Sequence, residues 1–235
     1  MKIRFLAIAF VIFIYVAGAH AQGGDGKPDV KEQFAQLKQS MAENKARLQN
    51  YQWLETTEVS IKGDTKKDEQ KACHYGPDGK VVKTLLGPEA APKEPPGGLK
   101  GKIVKKKMAE MKDYSSRLKG LISHYVPPDP ERLQASFQAG KANLNMSSAG
   151  GGSLIFSDYY KPGDKVTIGF DTTTKKLTNY DVNTYLDGTE DVVTLTNQFS
   201  TLPDATNYLQ QTVLSSKSKQ IEIKTSNSNY GPVNQ

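Results

Sequence analysis

The sequence predicts an α+β fold in which a curved antiparallel sheet, a half-barrel-like meander, carries helices packed on one face. Three observations lead there. Apolar residues recur at helical spacing in an early segment and again in the middle of the chain. Strand-like alternation, broken by tight turns, fills most of the remainder. The alternating segments are apolar on one side only, so two layers, helices against one sheet face, bury both kinds of stripe most economically.

Residues 1–21 stand apart from this fold. Lys2 and Arg4 precede an apolar run from Phe5 to Ala17, and Ala19-His20-Ala21 supplies a small-x-small cleavage pattern. That run spans roughly 20 Å as a helix, against a bilayer core of roughly 30 Å. It is expected to be a signal peptide, which places the mature chain in the periplasm or outside the cell. Gln22 would then come first, with no cysteine there for lipid attachment. Residues 22–28 read as a flexible lead, 29–230 as a single α+β domain, and 231–235 as a tail. A mature chain of this size buries about 70% of its unfolded surface. Cys73 is the only cysteine, so no internal disulfide is available and the apolar core must hold the fold.

Asp29 and Glu32 fit a D-x-x-E capping box at the start of the first helix. Val30, Phe34, Leu37, Met41 and Leu48 form its stripe. In 51–61 the period changes: Tyr51, Trp53, Thr57, Val59 and Ile61 alternate with polar residues, and Leu54 and Glu55 interrupt the pattern. Lys62-Gly63-Asp64 turns the chain into a second strand over 68–76. Pro77-Asp78-Gly79 turns it again into a third over 80–86. Residues 87–101 contain four prolines and four glycines and read as a loop, long enough to be disordered or lid-like. A helix is expected over 102–126, with Val104, Met108, Met111, Ser115, Leu118, Ile122 and Tyr125 on one stripe. Pro127 and Pro128 end it. Asp129 caps a short helix with Pro130 at its first position, and Gly140 stops it. Residues 147–153 read as a second flexible loop. Strands are expected over 154–160, 165–171, 176–186, 191–200, 209–215 and 219–226, joined by turns too short for parallel crossovers.

The formal charge is +6, and it falls to +4 when Lys2 and Arg4 leave with the leader. A basic chain favours anionic partners. Outside the cytoplasm that excludes nucleic acid and leaves acidic polymers and phospholipid headgroups. The charged feature above background is the run containing Lys102, Lys105, Lys106 and Lys107. Its plain reading is a solvated helix start. Lysine there opposes the helix dipole by roughly 0.3–1 kcal/mol per charge, and an anionic membrane surface, worth about 1 kcal/mol per basic residue, would offset that. These four lysines are the candidate membrane or partner contact.

Catalytic constellations are absent. The mature chain has two histidines, His74 and His124, too few for a matched zinc set. There is no G-x-S-x-G, P-loop or G-x-G-x-x-G. His74 adjoins Cys73 on a strand and must point to the other face; only His124 could meet the thiol from a distant helix. Asp181, Asn183, Asp187, Glu190 and Asp191 do not satisfy the EF-hand pattern. Glu55, Glu58, Asp158 and Asp171 show no spacing that singles out a glycosidase pair. No metal, cofactor or catalytic residue is expected, and the chain reads as a non-enzyme. Many tyrosines fall on strands, among them Tyr159, Tyr160, Tyr180, Tyr185 and Tyr208, as sheet packing favours.

The order of elements also carries a resemblance. An amphipathic helix leads to Tyr51-x-Trp53, then to Tyr75-Gly76-Pro77-Asp78-Gly79-Lys80, and the chain closes with Ile221-x-Ile223 and Thr225-Ser226-Asn227. This layout resembles the lipoprotein-sorting superfamily, which includes periplasmic carriers of outer-membrane lipoproteins. More narrowly, Trp53 to Glu58, Val126 to Pro130 and Asn183 to Asp187 resemble stretches shared by a group of exported bacterial proteins. The superfamily resemblance implies an unclosed half-barrel whose concave face, lidded by helices, holds acyl chains. The chain departs from the carriers by inserting the Pro/Gly loop and the long basic helix, and it shows no match to their lid-holding arginine. On that basis a lipid or lipoprotein acyl chain is the expected ligand, lined by Tyr51, Trp53, Val59, Val166, Ile168 and Phe170. The alternative is an envelope structural or protein-interaction module without a small ligand. The oligomeric state is left open.

Overall fold

The computed structural model describes residues 30–88, 97–148 and 150–233. The expected leader, the lead at 22–28, the Asp29 cap, the centre of the Pro/Gly loop and the last two residues lie outside the described residues, as do the side chains of Glu32, Val30 and Phe34.

Turn chemistry sets the topology. Helix α1 (Val30–Leu48) leads into β1 (Tyr51–Ile61) and β2 (Asp64–Tyr75). Lys62 and Gly63 between the strands both take positive φ, 55° and 79°, the backbone that matches the twist of a two-residue hairpin. At the next turn Asp78 accepts from the Lys80 amide at 3.0 Å, and the Gly76 amide donates to the Lys80 carbonyl at 2.8 Å. This launches β3 (Val81–Leu86). Helices α2 (Gly98–Ile122) and α3 (Pro130–Gln138) follow. Then come β4 (Ala142–Met146), β5 (Gly151–Ser157), β6 (Lys165–Asp171), β7 (Leu177–Tyr185), β8 (Val192–Thr201), β9 (Asn207–Ser216) and β10 (Ile221–Pro232).

The ten strands form one open, curved sheet in the order β3-β2-β1-β10-β9-β8-β7-β6-β5-β4, and every neighbouring pair is antiparallel. Pairing of β1 with β10 joins the opening strands to the closing meander. Helices α2 and α3 carry the chain from one edge of the sheet to the other.

Two expectations are corrected. The basic helix is displaced by about one turn, starting at Gly98 and ending at Ile122. A residue before proline avoids the α region, so the chain leaves the helix ahead of Val126-Pro127, with Tyr125 donating its amide to Ile122 in a turn. The loop expected at 147–153 is instead a tight turn between β4, which was not foreseen, and β5. The Ser147 amide donates to the Gly151 carbonyl at 2.7 Å, and Gly150 takes φ 86°. The glycines there serve packing: a Cβ on Gly152 would lie 2.6 Å from the Phe170 ring. The second strand also begins earlier, at Asp64, β5 lies three residues earlier than expected, and the last strand runs on to Pro232, into the expected tail. The α3 ends are as expected, with Asp129 accepting from the Glu131 amide at 2.9 Å and Gly140 at φ 68°.

The helix-covered face carries cross-strand rows. One is apolar throughout, running Ala142, Phe156, Val166, Val182, Leu195, Leu214, Ile223, Val59. The next begins Leu144, Leu154, Ile168, Tyr180 and then turns polar at Asn197, Thr212, Thr225 and Thr57. Thr212 donates to Asn197 Oδ1 at 2.7 Å, and Thr57 shares a hydrogen bond with Thr225. Against the apolar end pack Leu118, Leu121 and Ile122 of α2 and Leu133 of α3. The buried tyrosines there are satisfied, as burial demands. Tyr114 donates to Asp191 at 2.9 Å, Tyr125 to Asp164 at 2.6 Å, and Tyr180 to the Tyr125 carbonyl at 2.6 Å. Asp164 also collects the amides of Tyr159, Tyr160 and Lys161.

The substitution Gly152→Ala must push a buried ring out of a packed layer. It is expected to destabilise the chain by about 1–3 kcal/mol, read as a lower urea midpoint with an unchanged slope.

Candidate ligand cleft

Beyond the reach of α2 and α3, α1 crosses the sheet and leaves a cleft of about 110 Å³ beneath it. Its roof comes from α1, through Met41, Asn44, Lys45 and Leu48. Its floor comes from strands at the other end of the sheet, including Trp53, Tyr75 and Tyr230. Leu37 anchors α1 by burial in the main core. Further along, Asn44 and Asn207 clasp each other: the Asn44 side-chain amide donates to the Asn207 carbonyl at 2.6 Å, and the Asn207 amide donates back to Asn44 Oδ1 at 2.6 Å. This side chain mimics a strand neighbour for β9. From Ser40 to Leu48 the underside of α1 faces the cleft.

The floor is aromatic. Trp53 and Tyr230 stack with centroids 5.5 Å apart and planes 9° from parallel, and Tyr75 leans on Trp53 at 5.5 Å. A register shift opposite Gln52 and Leu54, with Asn229 at φ 54°, lets β10 present Tyr230 to this face. The indole N–H donates to Asn227 Oδ1 at 3.1 Å, and Asn227 donates to the Leu209 carbonyl at 3.0 Å. The tryptophan is thus fixed in plane as well as stacked. Burial pushes the Tyr75 and Tyr230 hydroxyls above the ordinary tyrosine range.

One wall is charged. Glu55 is buried beside Trp53 on the inner face and pairs with Lys83 of β3. Lys45 and Lys176 add positive charge to the lining. Buried ion pairs sacrifice hydration worth several kcal/mol per ion, and the Glu55–Lys83 contact offsets part of that cost. The cleft therefore offers an apolar ring wall and a polar, mostly positive wall side by side.

The six residues expected to line a ligand site separate. Trp53 lines the cleft. Tyr51 sits beside it, edge-on to Tyr230 at 6.4 Å, and donates to Asp204 at 2.7 Å. Val59 is buried in the apolar row. Val166, Ile168 and Phe170 belong to the core cluster that includes the helices. The four lysines, Lys102, Lys105, Lys106 and Lys107, are exposed on α2. Sequence reasoning passed over Tyr230, Asn44, Asn207 and the Glu55–Lys83 pair. Glu55 alone left a signal, as a carboxylate at an inward position of an alternating strand.

Most other polar groups have partners, although the buried Asp181 Oδ1 has none among the described residues. The acidic stretch is dispersed: Asp191 accepts from Tyr114, Asp187 pairs with Arg117, and Asp181 accepts from Asn179. Among the described residues no three His, Cys, Asp or Glu side chains converge on a metal position. A polar hollow of about 280 Å³ on the outer face is edged by Lys165, Thr167 and Asp181, and burial raises the Asp181 carboxyl above its usual range. Cys73 lies buried on the inner face, where desolvation first and the Glu55 charge second push its thiol up to about 11. His124 stacks on Tyr160 at 4.1 Å instead of engaging that thiol.

No protein-family model matches the chain, and no curated protein matches it. Two solved structures are similar to it. One is a DUF1329 family protein from Desulfovibrio piger, 12% identical, with a TM-score of 0.43 over 87% of this chain and 93% of that one. The other is a LolA superfamily protein from Nitrosomonas europaea, 9% identical, with a TM-score of 0.37 over 84% of this chain and 94% of that one. The second carries the superfamily name to which the sequence resemblance pointed. Among the described residues no helix is long and apolar enough to cross a membrane.

The raised thiol gives a pH-dependent expectation. The thiolate is the reactive form, so modification of native Cys73 by a disulfide reagent should accelerate about tenfold per pH unit from 7 to 10 without levelling. In denaturant the same thiol should react far faster at pH 7. A native rate that levels near pH 8.5, the range of a free cysteine, contradicts the burial described.

Proposed function

We propose that this chain is an exported, non-catalytic carrier that holds an acyl-chain amphiphile, a lipid or the acyl part of a lipoprotein, between α1 and the concave face of the sheet. The observation that carries the reading is the cleft itself: Trp53, with Tyr75 and Tyr230 each packed on it, lies under a helix whose own residues form the roof. Stacked rings with a neighbouring polar wall suit a molecule with an apolar tail and a charged or polar head.

The cleft at about 110 Å³ is smaller than the roughly 300 Å³ at which ligand pockets begin. A carrier must therefore open, and α1 is the part able to move. Among the described residues it is fastened by Leu37 and Met41 in the core and by the Asn44–Asn207 clasp, whereas α2 and α3 contribute several more core residues. The small resting volume favours the second reading, an envelope interaction module with no small ligand, and one experiment separates them.

Trp53 is the only tryptophan in the chain, so its fluorescence reports on the cleft alone. Titrating the detergent-free protein with palmitate should give a saturable change in Trp53 emission, with one lipid retained in native mass spectrometry. Tyr230→Ala removes the stacked ring and should weaken binding roughly tenfold. No saturable change, together with no lipid retained by mass, would sink the carrier reading and leave the interaction module.

A further inference from the structure

The apolar stripe of α2 continues past the part of the helix that the sheet covers. From Tyr114 onward the stripe is buried: Leu118, Leu121 and Ile122 enter the core, and the Tyr114 hydroxyl is held by Asp191 and Ser216. Before Met111 it is bare. Ile103 is 52% exposed and Met108 49% exposed, and between Lys102 and Glu110 only Val104 is partly covered. Large apolar side chains on a helix are ordinarily the ones turned inward. Here Ile103 and Met108 stand in water at the two edges of the arc that the second half of the helix buries, about 140° apart at 3.6 residues per turn, with Lys100 and Lys107 between them.

The surroundings of that bare face are strongly basic. Lys100, Lys102, Lys105, Lys106 and Lys107 are all exposed, and Glu110 is the first acidic residue of the helix. A short amphipathic segment with isolated long apolar side chains ringed by lysines has the composition of an interfacial element. Its apolar groups enter the boundary between headgroups and acyl chains, and its ammonium groups reach anionic phosphates. A protein groove would need carboxylates to answer five lysines within two turns. A leaflet of anionic lipid supplies that charge everywhere.

We propose that the first three turns of α2 form a membrane-docking surface specific for anionic phospholipid, with Ile103 and Met108 inserting and Lys102, Lys105, Lys106 and Lys107 contacting headgroups. The firmly packed second half of α2 holds this surface in a fixed orientation relative to the sheet. The docking is independent of whether the cleft carries a ligand.

The test is sedimentation of the chain beginning at Gln22 with vesicles. Vesicles rich in phosphatidylglycerol should carry the protein down, and pure phosphatidylcholine vesicles should not. Raising salt from about 0.1 M to about 0.5 M should weaken binding more than tenfold, since screening shortens the reach of exposed charge. Replacing Lys102, Lys105, Lys106 and Lys107 together by Glu should reduce binding at least a hundredfold, at about fivefold or more per charge. Ile103→Ser with Met108→Ser keeps every charge and should cost about tenfold. All six positions are exposed, so unchanged melting confirms that each variant is folded. No sedimentation with phosphatidylglycerol vesicles overturns the proposal. So does equal binding by the lysine variant, or binding that appears only once a membrane protein is added to the vesicles.

Discussion

The structure depends on a mismatch of area: one face of a ten-stranded sheet must be covered, and three helices do not cover it. Helices α2 and α3 concentrate on β4 to β8 and fill that end. At the other end α1 roofs the cleft over β1, β2, β3 and β10. A face that cannot be fully covered cannot be fully apolar, and the sheet changes character where the cover thins. The row that starts with Leu144, Leu154, Ile168 and Tyr180 ends with Asn197, Thr212, Thr225 and Thr57. Beyond that lie the Glu55–Lys83 pair and the aromatic floor.

The same mismatch explains why the two ends differ in rigidity. Under α2 and α3 the tyrosine hydroxyls and Asp164 form closed polar networks inside an apolar layer, and such networks fix one arrangement. Under α1 one polar contact, the clasp of Asn44 with Asn207, imitates a strand pair without adding a strand.

Much of the fold was legible in the sequence because turns and periodicity are local. Gly63, Gly79, Gly140 and the Asp129-Pro130 cap each declare a chain reversal or a helix end within a few residues, and the six closing strands were placed within about three residues at most ends. The short β4 was not legible, since Asn143 and Asn145 hide the alternation and its partner begins with glycines that read as a loop. The cleft was partly legible. Trp53 could be placed on an inward face from alternation alone. Tyr230 could not, because its position depends on pairing residues nearly the whole chain apart and on a register shift between them. Val166, Ile168 and Phe170 show the same periodicity as Trp53, yet they lie where the helices fill the face. Periodicity tells which face a side chain takes, not whether that face is covered.

If α1 is a loosely held roof, its backbone must open without the sheet. Hydrogen exchange of the detergent-free protein tests this directly. The account predicts that amides in the second half of α1 exchange at least about a hundredfold faster than those of β6 to β8, through local rather than global opening, and that the second half of α2 behaves like the sheet. Protection of α1 equal to that of the central strands would mean a roof that does not lift, and would contradict the account.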